Sequence, residues 1–185
     1  REDTPKNEHG SYDLESLQAV DVDLFNSQAE RLLQGESVCL PHFDFITGKR
    51  YYDTKKTTLS RDGILIVEGL HALNDKLVRY VSRERQYKVS VGVWTQLPVD
   101  ELNRISTSDT RIIRRLIRDN RTRGRNPEVT LEAWDGVRRG EDINIYPYRQ
   151  DADALFDTSL LYEWAVMKPQ AEALLATVVR DSSYY

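Results

Sequence analysis

Gly63-Ile64-Leu65-Ile66-Val67-Glu68-Gly69 is the stretch on which the fold turns. Four consecutive apolar residues, three of them β-branched, lie between two glycines without polar alternation, so the run has no solvent face of its own. Such a run is expected as a central parallel strand buried on both sides. An acid directly after a strand of that kind stands at the carboxyl edge of the sheet, where open α/β folds bind ligands. Glu68 is therefore a candidate to hold a magnesium ion, directly or through water. A chance acid at a strand end is the plainer alternative.

Downstream, Tyr87, Val89, Val91 and Val93 alternate as a second strand, and Asp153 to Phe156 form a shorter one. Two helices are expected between them. One runs from about Asp109 to Thr122, the other from about Pro127 to Arg139 with Asn126 as cap, Pro127 in the first turn and Glu128 near the positive helix end. A last helix spans roughly Tyr162 to Val178, bent at Pro169. Upstream, Ser37 to Leu59 alternates in short runs around Thr47-Gly48 and predicts a β-hairpin excursion. Before it, Leu24, Phe25, Leu32 and Leu33 give a helix from about Asp23 to Gln34, stopped at Gly35. Asp13 is read as the cap of a short helix through Leu14, Leu17 and Val20, and residues 1–12 as loop. Strands separated by helices argue for a parallel α/β sheet. With no repeat or low-complexity linker, residues 1–185 are expected to be one domain.

The chemistry is concentrated in Arg111-Ile-Ile-Arg-Arg-Leu-Ile-Arg-Asp-Asn-Arg-Thr-Arg-Gly-Arg125, where seven of fifteen residues are arginine and Asp119 is the only acid. At helical spacing Ile113, Leu116 and Ile117 point to a core, and Arg111, Arg114, Arg115 and Arg118 fall on neighbouring faces. Guanidinium groups packed this densely repel unless an anion answers them, and their planar fork suits phosphate oxygens. A solvated basic face or an RNA patch is the alternative. The total charge of −4 does not suit a nucleic-acid binder. Phe43 and Phe45 share alternating spacing and could sandwich a flat heterocycle, or pack a hairpin on the core. His9 and His71 are read as surface or packing residues, and Trp94, Trp134 and Trp164 as core anchors. The single cysteine, Cys39, fits a small apolar position in a reducing compartment. No apolar run reaches the roughly 18 residues of a membrane span.

Together these segments resemble the uridine kinase and phosphoribulokinase family of P-loop kinases. Tyr12-Asp13, Leu40-Pro41-His42-Phe43-Asp44-Phe45, Ile66-Val67-Glu68-Gly69 and Arg114-Arg115-Leu116-Ile117-Arg118-Asp119 through Arg123-Gly124-Arg125 stand in the family's order and spacing, with Ala152-Asp153-Ala154 like its final strand. Further features are similar to a bacterial-type subgroup often fused to a domain related to threonyl-tRNA synthetase. These are Arg1-Glu2-Asp3-Thr4-Pro5, Gly48-Lys49-Arg50, Glu68-Gly69-Leu70-His71-Ala72-Leu73-Asn74, Asn103-Arg104-Ile105 and Val137-Arg138-Arg139-Gly140-Glu141, together with a long stretch from Thr95 to Thr107.

The resemblance implies a P-loop NTPase-like three-layer α/β fold and a cytoplasmic kinase that moves the γ-phosphoryl group of ATP to a nucleoside hydroxyl with Mg2+. By the same resemblance Asp13 binds ribose hydroxyls, Phe43 and Phe45 line the base pocket, and Arg115 and Arg125 lie on the nucleoside side. Arg118 and Arg123 contact donor phosphates as the catalytic lid, and Glu68 is the metal ligand. No G-x-x-x-x-G-K-[ST] run occurs in these residues. The Walker A strand, loop and helix are expected to precede Arg1, and the fragment alone to be inactive. Uridine kinases carry a histidine three residues after the second aromatic; this chain has Gly48. That departure keeps two other readings open, a kinase for another sugar-containing small molecule and a non-catalytic RNA-binding or regulatory module. A homo-oligomer is compatible with the sequence; a membrane partner is not expected.

Overall fold

The computed structural model describes residues 4–6, 10 and 12–179. The motif at Arg1-Glu2-Asp3, His9 and the tail from Asp181 therefore lie outside the described residues. The chain divides into two units, Arg1–Val89 with Arg138–Asp153, and Ser90–Val137 with Ala154–Tyr185.

In the first unit, α1 (Val22–Leu33) begins where the Asp21 carboxylate accepts the Leu24 N–H at 3.1 Å. It ends at Gly35, whose φ of 80° turns the chain out of the helix. Its buried face holds Ala29 and Leu32 but also Asn26. The Asn26 amide donates to the Val22 and Leu77 carbonyls and accepts the Arg79 N–H, tying the helix to residues 77–79. β1 (Ser37–Val38) then buries Val38. β2 (Pro41–Asp44) and β3 (Lys49–Tyr52) pair antiparallel, with Phe43 opposite Arg50 and His42 opposite Tyr51. β4 (Thr57–Thr58) returns antiparallel to β1. The hairpin expected around Thr47-Gly48 is thus present.

The second unit is built on α2 (Thr107–Arg123), which opens with a reciprocal capping box. The Ser106 hydroxyl accepts the Asp109 N–H, and the Asp109 carboxylate accepts the Ser106 N–H. β5 (Val89–Gly92) pairs with β8 (Ala154–Asp157). The Asp153 N–H donates to the Lys88 carbonyl and the Thr158 N–H to the Gly92 carbonyl, so position numbers rise together and the strands run parallel. β6 (Leu97–Pro98) and β7 (Arg104–Ile105) make a small antiparallel hairpin of the stretch after Thr95. The Asp100 carboxylate accepts the Leu102 and Asn103 N–H groups at its tip. α5 (Glu163–Leu175), with Pro169 inside it, packs on α2: the Trp164 indole donates to the Thr110 hydroxyl at 3.1 Å.

Three expectations are corrected. Ile64 to Val67 form no strand; Ile64 and Ile66 are each 85% exposed, and among the described residues no strand runs beside them. A β-branched run becomes a ladder only when neighbours present backbone partners about 4.8 Å away. Here the α/β class stands, but among the described residues as four two-stranded ladders, one parallel. The helix expected from Pro127 to Arg139 is two: α3 (Pro127–Glu132), capped by Asn126 as anticipated, and α4 (Trp134–Asn144). They break at Ala133, whose N–H reaches both the Leu131 and Val129 carbonyls. Asp13 caps no helix: the short 3-10 turn Leu17–Ala19 is capped by Ser16, and the Asp13 carboxylate instead accepts the Glu15 N–H at 3.2 Å. No helix among the described residues is long and apolar enough to cross a membrane.

Candidate functional site

The arginine-rich run resolves into residues with different tasks. Arg114 turns to its own core: its Nε donates to the Glu163 carboxylate at 2.7 Å and its Nη groups to the hydroxyl and carbonyl of Thr158. Arg111 lies 5.8 Å over the Trp134 ring. Four others converge on Asp119, which has no solvent exposure. Arg118 Nε and Nη2 donate to Asp119 Oδ1 at 3.0 and 2.8 Å, and Arg123 Nη1 stands 3.3 Å from the same oxygen. Arg115 Nε and Arg125 Nη1 approach Oδ2 at 3.6 and 3.8 Å.

Arg125 can join Arg115 only because the chain doubles back after α2. Gly124, at φ 62°, takes the left-handed cap position that a side-chain-bearing residue resists. The N–H groups of Gly124 and Arg125 then both donate to the Asp119 carbonyl. Burial, and after it the charge of Arg118, push Arg123 below the ordinary arginine value. Four guanidinium groups gather round one carboxylate at one end of α2. The partial negative charge of a helix C-terminus favours them there.

The first unit carries the other candidates. Asp13 sits half-buried in a turn held from three sides. Its N–H donates to the Pro5 carbonyl, its carboxylate accepts the Glu15 N–H, and the Glu15 carbonyl accepts the Asn144 amide of α4 at 2.9 Å. Beneath it, His71 is 4% exposed and is hydrogen-bonded to the Ser16 backbone; its Nδ1 meets no partner among the described residues. Burial, opposed in smaller measure by the Ser16 bond and the Asp13 charge, holds this imidazole below the usual histidine range. His71 is thus a packing residue, as anticipated, and it packs against the Asp13 turn.

Phe43 and Phe45 meet edge to face, with ring centroids 5.3 Å apart, and both are about half exposed rather than packed on a core. His42, one position earlier, presents to the opposite hairpin face. There it stacks on Tyr51 and lies 2.9 Å from the Asp53 carboxylate. Gly48 closes the hairpin at φ 69° with its N–H donated to the Asp44 carbonyl. Glu68 is exposed, and among the described residues no three acidic, histidine or cysteine side chains cluster as a metal site.

Sequence reasoning passed over two residues. Asp119 had a visible signal, being the single acid in a run of seven arginines. Gly140 had none; it matters because a Cβ there would collide with the Glu15 side chain.

Comparison with known proteins adds a separate line. The profile of the Phosphoribulokinase / Uridine kinase family matches residues 1–160. A uridine kinase of Borrelia duttonii (strain Ly) is 29% identical over 184 residues, 95% of this chain and 80% of that protein. A uridine kinase of Deinococcus deserti is 29% identical over 155 residues, 83% of this chain and 66% of the relative. The mouse uridine-cytidine kinase-like 1 is 31% identical over 144 residues, 77% of this chain but 23% of its own length.

Proposed function

The chain belongs to the phosphoribulokinase and uridine kinase family, and from that premise we propose that it is the acceptor- and lid-bearing part of an ATP-dependent nucleoside kinase of the uridine or cytidine type. The observation that carries the reading is the gathering of Arg115, Arg118, Arg123 and Arg125 round one buried carboxylate at the end of α2, with Arg118 half open to solvent. Phosphoryl transfer asks little covalent help of a protein, chiefly positioning and neutralisation of phosphate charge.

In this reading Arg118, the most open of the four, and Arg123 donate to the oxygens of the transferred phosphoryl group. Arg115 and Arg125 steady the acceptor side of the phosphate. Asp13 accepts a hydrogen bond from a ribose hydroxyl, and Phe43 with Phe45 offers aromatic faces to the base. Mg2+ keeps several waters and needs one or two carboxylates plus substrate phosphates. One exposed carboxylate, Glu68, fits that requirement. When bound, the ion neutralises phosphate charge. The family match covers residues 1–160, which supports reading them as one kinase domain of the P-loop type. These 185 residues contain no G-x-x-x-x-G-K-[ST] loop, so by themselves they are expected to transfer no phosphate.

A second acceptor class, another sugar-containing small molecule, is favoured by Gly48, where the hairpin turn holds a left-handed backbone and no side chain can reach a base. The test is steady-state kinetics of the intact protein on a panel of nucleosides and sugars. Arg118→Ala and Arg123→Ala are expected to lower kcat by about 10²- to 10³-fold with a smaller change in acceptor KM. Unchanged turnover in both variants removes the lid assignment.

A further inference from the structure

We propose that Arg50 reads the base edge of the acceptor: its guanidinium fork, held beside the Phe43 and Phe45 rings, selects a cytosine-type base, which offers two adjacent hydrogen-bond acceptors. The inference rests on the reading of Phe43 and Phe45 as the base pocket and adds the residue that chooses among bases.

Three observations single out Arg50. In the β2–β3 ladder it stands directly opposite Phe43, and Tyr52 stands directly opposite Pro41. Opposed residues share a face, as do residues two apart on one strand. Phe43, Arg50 and Tyr52 therefore line one side of the hairpin, and Phe45 joins them through its edge-to-face contact with Phe43. The guanidinium is also anchored. Arg50 Nη1 donates to Asp21 Oδ2 at 2.8 Å, and the Tyr52 side chain is hydrogen-bonded to the same arginine. Asp21 is itself fixed as the cap of α1, where it accepts the Leu24 N–H. A planar group held by two partners has its remaining N–H donors aimed before a ligand arrives. Finally, Arg50 keeps 45% of its side chain open.

Charge and donor geometry name the ligand. Asp21 answers the charge of Arg50, so this face offers directed N–H groups to a neutral ring rather than a bare cation to a phosphate. Neighbouring N–H groups of a guanidinium run parallel and match two neighbouring acceptor atoms. Cytosine carries such a pair, O2 and N3, on the edge away from its sugar. Uracil sets an N3–H donor between its two carbonyls, so one guanidinium N–H would meet another. Gly48 brings no side chain to compete, which leaves the edge of a ring stacked on Phe43 to Arg50. A plainer role for the Arg50–Asp21 pair is to tie the hairpin to α1. That role treats all acceptors alike; base reading does not.

The experiment compares cytidine and uridine as acceptors of the intact protein, with Arg50→Lys alongside, which keeps the charge and loses the fork. The original protein is expected to favour cytidine in kcat/KM by about tenfold or more, and Arg50→Lys to bring the two within about threefold. A cytidine-to-uridine ratio that Arg50→Lys leaves unmoved overturns the proposal, as does a preference of the original protein for uridine. Should Arg50→Lys not fold, 3-deazacytidine, in which a C–H replaces the N3 acceptor, decides on the unaltered protein. Calorimetry is expected to give it a Kd about tenfold or more weaker than that of cytidine, and equal values overturn the base reading. Phosphorylation of cytidine and uridine alike would discard the role of Arg50 and keep the kinase reading. Tighter binding of cytidine than of 3-deazacytidine, with neither phosphorylated, would keep the base site and discard the kinase reading.

Discussion

Arg114 and Arg118 are four positions apart on one helix and do opposite work. Arg114 spends its donors on Glu163 and Thr158, and Glu163 is almost buried. Arg114→Ala therefore strands a carboxylate in the core and is expected to lower stability by roughly 3 kcal/mol, read from urea denaturation of the 185-residue chain. Arg118→Ala takes two hydrogen bonds from the buried Asp119 but leaves Arg115, Arg123 and Arg125 beside it, and is expected to cost less, about 1–2 kcal/mol. Equal costs would mean that the division of labour along α2 is misread. His71 gives a second test at this scale. Its folded-state value lies below the unfolded one, so the unfolded chain takes up the proton first as pH falls. Its contribution is complete above about pH 6.5 and is lost as pH drops from there through the folded value. Asp21, Asp44, Asp100, Asp153 and Asp157 are also held low by their hydrogen bonds, but their stabilisation is lost only below about pH 4. Urea midpoints measured from pH 8 to 5 should fall in the original chain and stay level in His71→Asn.

Helix α4 meets the Asp13 turn without room for a methyl group. A Cβ at position 140 would overlap Glu15, and Glu15 is the residue whose N–H the Asp13 carboxylate accepts. Gly140→Ala is therefore expected to cost about 1–3 kcal/mol and, in the intact protein, to raise acceptor KM severalfold while ATP KM holds. A change confined to ATP KM would detach Asp13 from acceptor binding. The packing also shows which elements the sequence could announce. Helices carry their own signals: the Asn126 cap, the Gly35 and Gly124 stops and apolar residues one turn apart were read from the sequence, whereas the Asp21 and Ser106 caps, just ahead of the expected starts, were not. The Thr47-Gly48 hairpin was readable for the same reason, since Asp44 and the left-handed glycine are local. Ile64 to Val67 was not, because a strand exists only with a neighbour and no residue in the run names one. The break at Ala133 left no mark in the apolar spacing, which continues through it. Of the candidate site, the residue types were legible, but the convergence on Asp119 required the reversal at Gly124 to be seen in three dimensions.

At the scale of the whole molecule the decisive quantity is how charge is distributed. The chain carries a net −4, yet α2 ends in a cluster of four guanidinium groups about one carboxylate. A compact triphosphate can occupy that spot without facing the rest of the surface, since the Debye length is about 8 Å at physiological salt. An RNA strand cannot, because it extends over many Debye lengths and meets the acidic remainder. The kinase and RNA readings therefore part on the length of the anion. Fluorescence anisotropy with a labelled 20-nucleotide RNA is expected to give a Kd weaker than about 10 μM at 150 mM salt, within the range of non-specific association. Affinity should fall steeply as salt rises, since counterion release is all that drives it. Tripolyphosphate should displace the RNA completely, because both draw on the same four guanidinium groups. A nanomolar Kd that survives tripolyphosphate would require a basic surface beyond Arg115, Arg118, Arg123 and Arg125, and would move the protein out of phosphoryl transfer and into nucleic-acid binding.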